Sequence, residues 1–101
     1  MSNPGDDFFA PPAFKPDEAL VTLKRLLREQ RPLAERGQRF ELNGKPVIEV
    51  IAEAATIQAR LAKRPAMSPE WDQLTLKNGA DVRKLIDEVK KRLSRWQQDA
   101  E

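Results

Sequence analysis

The residue types that carry most enzymatic chemistry are missing from this sequence, which contains no histidine, cysteine or tyrosine. Their absence removes the usual proton shuttle, the thiolate nucleophile, and the nitrogen and sulfur ligands on which zinc sites depend. Carboxylates, amines and hydroxyls remain. Glu49 and Glu53 stand one helical turn apart and could put two carboxylates on one face, where a hard cation takes oxygen ligands. A pair without further oxygen donors is a weak cage, so neither a metal nor a cofactor is expected. Glu88-Val89-Lys90 has the tail of a nuclease-like acidic-x-lysine spacing, but Val89 falls on an apolar stripe. The lysines sit on charged faces or in loops, where an amine keeps its proton. Ser68 reads as a helix cap and Ser94 lies off the apolar stripe of its helix, and neither has a base nearby. The four glycines are isolated, so no phosphate-cradling loop is present. The chain is expected not to be an enzyme, with no catalytic residue to name.

Binding is the remaining class, and two groups of residues are candidates for it. Lys24, Arg25, Arg28 and Arg31 follow one another at helical spacing and would make a basic stripe suited to phosphates or to an acidic partner. Phe8, Phe9 and Phe14 are three of the four phenylalanines and lie near Asp6, Asp7 and several prolines. Exposed aromatics in such a setting are what docking segments use, although the same rings could fold back and finish a small core. The leading expectation is a small intracellular protein-interaction or regulatory module whose protein partner is unknown. The alternative is a nucleic-acid-binding accessory domain that uses the basic face of the first helix.

The composition sets the frame for these elements. A chain of 101 residues builds one modest core. With 40% hydrophobic and 34% charged residues it is expected to fold. The 18 basic and 16 acidic residues nearly cancel, leaving a formal net charge of +2, which argues against a dedicated nucleic-acid binder. The longest apolar-rich stretch, 46–62, is broken by Glu49, Glu53, Gln58 and Arg60, so no membrane span is expected. No basic n-region with an apolar run opens the chain. A soluble, cytoplasmic protein is the expectation.

Residues 1–15 read as an arm, since Pro4, Gly5, Pro11 and Pro12 interrupt any regular element. Pro16, followed by Asp17 and Glu18, begins a helix expected over 16–31, with Leu20, Leu23, Leu26 and Leu27 inward and only Val21 on the wrong face. Asn43-Gly44 is a strong hairpin signal and creates a fork. In one branch Lys45–Ala52 is a return strand, with Thr56–Leu61 a third strand. In the other, Pro46 opens a helix over 46–64. Projection at roughly 100° per residue clusters Glu49, Glu53, Thr56, Arg60, Lys63 and Arg64, and the alanines of this stretch favour helix. That periodicity selects the helix. Ser68-Pro69 predicts a short turn of helix over 68–72, and Leu74 and Leu76 a brief strand pairing with Phe40–Leu42. Asp81 is expected to cap a final helix over 81–97, striped by Val82, Leu85, Ile86, Val89, Leu93 and Trp96.

The expected fold is therefore mainly α: a small three-to-four-helix domain over 16–98 with room for a short two-stranded β element, and a frayed tail at 99–101. The alternative is α+β with a hairpin at Asn43-Gly44. The broad apolar face of the second helix leaves a homodimer open.

Overall fold

A computed structural model of the protein describes residues 14–99 and shows an α+β fold, not the mainly α bundle expected from periodicity. Helix α1 (Pro16–Arg28) is followed by β1 (Ala34–Arg36), β2 (Arg39–Leu42), β3 (Lys45–Ala52), β4 (Ile57–Ala62), β5 (Trp71–Leu76) and helix α2 (Gly79–Asp99). The five strands form one antiparallel meander in the order β1-β2-β3-β4-β5. Residues 1–13 of the arm expected over 1–15 and residues 100–101 of the tail expected over 99–101 lie outside the described residues, and Asp99 is the last residue of α2.

The fork at Asn43-Gly44 resolves as a hairpin. A two-residue loop joins β2 to β3, and a turn that matches the strand twist needs positive φ at both positions. Asn43 has φ 53° and Gly44 φ 80°. The helix expected over 46–64 is instead the hairpin β3–β4. Its polar residues fall at helical spacing because they are cross-strand neighbours: Glu49 lies opposite Arg60, and the backbone N–H of Glu53 bonds the carbonyl of Thr56 at 2.8 Å. A period of 3.6 and an antiparallel register can select the same residues. Alternation decides between them, because Ile48 and Val50 on β3 and Ile57, Ala59 and Leu61 on β4 are buried while Glu49, Gln58 and Arg60 are not. Between Phe40 and Glu41 the pairing skips from Ile48 to Pro46, a bulge that leaves Val47 without a partner and buried in the core.

Both helices cover the same face of the sheet. Leu23 and Leu27 of α1 and Val82, Leu85, Ile86, Val89, Leu93 and Trp96 of α2 join Phe40, Ile48, Val50, Ile57, Leu61 and Leu76 in one core. α1 ends at Arg28, three residues before its expected end, and Val21 is 69% exposed, as its position off the leucine stripe implies. α2 starts two residues before Asp81, and Asn78 is its cap: the Asn78 side-chain oxygen accepts from the N–H of Asp81 at 2.8 Å, while the Asp81 carboxylate reaches back to the N–H of Lys77 at 3.0 Å. No helical turn forms over 68–72. The chain enters β5 there, and β5 pairs with β4 and not with Phe40–Leu42.

The opposite face of the sheet is open and polar. Glu49 accepts from Arg39 at 3.0 Å and from Arg60 at 3.1 Å, and Gln58 accepts from Thr75 at 3.1 Å and Gln73 at 3.3 Å. The Arg60 guanidinium lies 4.8 Å from the centroid of the Trp71 ring, within cation–π range. Among the described residues no helix is long and apolar enough to cross a membrane.

Candidate ligand-binding cleft

The tip of the β2–β3 hairpin, the segment leaving β4, and the last turns of α2 converge at one end of the sheet. Each element arrives for a local reason. Asn43-Gly44 reverses the chain tightly enough to keep Lys45 beside the tip. Pro65 has no N–H to continue the ladder past the bond from Lys63 to Glu70, so the chain leaves the sheet at Arg64. Trp96 ends the apolar stripe of α2 and is buried, which leaves its neighbour Arg95 at the margin of the packed face.

Between these elements is a cleft of about 530 Å³, floored by Leu42 and Trp96 and walled by Asn43, Lys45, Lys63, Arg64, Pro65 and Arg95. Four of its lining residues are cationic and none is acidic. Lys63 is partly engaged, with its ammonium 3.4 Å from Asp72. Lys45, Arg64 and Arg95 make no ion pair among the described residues, where ten such pairs occur elsewhere. A second cleft of about 600 Å³ shares Lys63 and Arg64 and continues past Ser68 to Glu70. Concentrated positive charge in a concave wall attracts anions more strongly than the same charge spread over a convex face.

The basic stripe expected on the first helix is divided. Arg28 makes a bidentate pair with Glu35, its second contact at 3.1 Å. Lys24 bonds the carbonyl of Gly37 at 3.2 Å and lies 4.0 Å from the same carboxylate. The hydrogen bond from Arg28 holds the Glu35 carboxyl below its ordinary range, against a smaller opposing effect of burial. Arg25 and Arg31 stay exposed and form no ion pair among the described residues. Glu35 could not be assigned to this group from sequence, because it arrives from β1, outside the helix whose periodicity defined the stripe.

The other candidates are dispersed. Phe14 is half-buried against the core, while Phe8 and Phe9 lie outside the described residues. Glu49 is committed to Arg39 and Arg60, and Glu53 sits at the β3–β4 turn. No group of three or more carboxylates suited to a metal occurs among the described residues. Ser68 lines the second cleft and caps no helix, and Ser94 is exposed on α2. The cleft cations went unnoticed in the sequence because Lys45, Lys63–Arg64 and Arg95 belong to three separate segments.

Arg92 ties the helix that carries Arg95 to the sheet. It donates to Glu88 at 2.8 Å and to the carbonyl of Ala62 at 3.0 Å, and lies 2.9 Å from Asp72. Its hydrogen bonds hold both carboxyls, Asp72 and Glu88, below their usual range. Burial disfavours the Arg92 cation, and the two carboxylates more than offset this. Comparison with family models, curated proteins and solved structures gives no match.

Proposed function

We propose that this domain acts by binding, without a reaction of its own, and that its ligand is the phosphate backbone of a nucleic acid held in the cleft between the β2–β3 hairpin and the end of α2. The observation that carries this reading is the lining of that cleft: four cations, no carboxylate, and three of the cations without an ion pair among the described residues. Phosphate chains are bound chiefly by such charge, through release of their condensed counterions. The near-balance of charge over the whole chain, which counts against this function on composition alone, is compatible with it, because the acidic residues are spent elsewhere. Glu35, Glu49, Asp72 and Glu88 each hold a basic partner outside the cleft or at its rim.

The Phe8, Phe9 and Phe14 segment supports a protein partner less strongly, since Phe14 is accounted for by packing on the core. A nucleic-acid ligand also suits residence in the cytoplasm.

Fluorescence anisotropy with a labelled single-stranded oligonucleotide tests the reading between about 50 and 200 mM salt. Three phosphate contacts predict a slope of about −2 in log affinity against log salt, and each neutralisation among Lys45→Gln, Arg64→Gln and Arg95→Gln should flatten it by about 0.7. Neutralising Arg25 and Arg31 should change it less. No binding at the lowest salt, or binding indifferent to the three cleft variants, refutes the proposal.

A further inference from the structure

The two edges of the sheet differ in a way that bears on association. β1 has three residues, and Glu35 in its middle is engaged by Arg28, so that edge is short and charged. Such features keep foreign strands away. β5 is twice as long, reads Trp-Asp-Gln-Leu-Thr-Leu, and contains no proline or lysine.

Its hydrogen-bonding direction follows from one bond. The N–H of Lys63 donates to the carbonyl of Glu70 at 2.9 Å, so residues 70, 72, 74 and 76 turn their backbone groups toward β4. Trp71, Gln73 and Thr75 then turn theirs outward, and Gln73 and Thr75 are exposed. At the next outward position the N–H of Lys77 is occupied by the Asp81 carboxylate, which ends the open stretch.

A groove of about 480 Å³ runs between this edge and α2. The bond from the Lys77 N–H to the Asp81 carboxylate at one end and the pair between Arg92 and Asp72 at the other show that α2 runs antiparallel to β5. Along the groove the helix presents Asp81, Lys84, Glu88 and Arg92, alternating in sign.

We infer that β5 pairs antiparallel with β5 of a second copy of this chain, about a two-fold axis through Leu74, joining two five-stranded sheets into one. In that register Gln73 lies opposite Thr75 of the second copy and the reverse, so the outward backbone groups of both residues are used. Leu74, half-buried in the single chain, meets its own counterpart on the axis. The same two-fold sets Lys84 against Glu88 of the second copy. A symmetric interface requires this self-complementarity, whereas a foreign strand would have to supply the charge pattern independently. The inference is independent of the proposed function.

Sedimentation of the full chain at about 100 µM should give a mass of roughly 23 kDa, twice the 11.5 kDa of one chain. Amide exchange at Gln73 and Thr75 should slow as concentration rises. Thr75→Pro removes an N–H that β4 does not use, and Lys84→Glu places like charges across the axis. Each should return the mass to that of one chain. Should Thr75→Pro fail to fold, Lys84→Glu and the wild-type exchange data decide. A single-chain mass at that concentration, unprotected Gln73 and Thr75 amides, or a dimer that survives both substitutions overturns the inference.

Discussion

Arg92 offers a quantitative test of how the two halves of the fold are joined. Its side chain is 16% exposed and spends its donors on Glu88, Asp72 and the carbonyl of Ala62, at 2.8–3.0 Å. Replacing it with alanine removes all three. Hydrogen bonds to charged groups contribute about 1.5–3 kcal/mol each, but the two carboxylates are about a third exposed and water screens their share. Asp72 also keeps Lys63, at 3.4 Å. The larger loss is the Ala62 carbonyl left without its donor, together with the packed aliphatic stem of the arginine. A total of about 3 kcal/mol follows, and Arg92→Lys, whose ammonium cannot reach all three acceptors, should lose about half of that. In urea, with a slope of about 1.5 kcal/mol per molar, the alanine variant should unfold about 2 M earlier. Its melting temperature should fall by roughly 12–24 °C. A second readout separates the ion pairs from packing. Because Arg92 depresses the pKa of both Asp72 and Glu88, the alanine variant should lose less stability on acidification than the wild type. A destabilisation below about 0.5 kcal/mol, with unchanged acid sensitivity, would show that the network is solvated ornament and refute the reasoning.

Two further outcomes follow from the same physics. Gly44→Ala meets no atom within 4 Å, so its cost is purely conformational: φ is +80°, and the variant should be less stable by about 1 kcal/mol or more in urea titration. Acid should destabilise the wild type in a defined window. Glu35, Asp72 and Glu88 have carboxyl pKa values lowered by their arginine partners, so their contribution is present in full above the ordinary carboxyl values of 4.5 for Glu and 3.8 for Asp and is lost as pH falls through the lowered ones. Thermal melts from pH 6 down to about 2 should show this decline, and a flat profile would contradict it.

Local chemistry along the chain was enough to settle several features of this protein. Pro16 with Asp17 and Glu18 marks a helix start whatever follows, because the free N–H groups there favour proline and negative charge. The stripe from Val82 to Trp96 marks an amphipathic helix, whereas the hairpin signal of Asn43-Gly44, which tolerates positive φ as few pairs do, was outweighed by the helical spacing that follows it. The scarcity of reactive side chains likewise needs no structure to be seen. The sheet was decided by tertiary pairing. Residues 46–62 carry alanines that favour helix and a polar spacing that fits one, and neither term survives once Ile48, Val50, Ile57, Ala59 and Leu61 can be buried together under two helices. Propensity is worth tenths of a kcal/mol per residue, whereas burying a large apolar side chain is worth about 1.5–3. The cleft is likewise a product of folding, because its charges come from segments up to fifty residues apart that only the meander and the returning helix bring together.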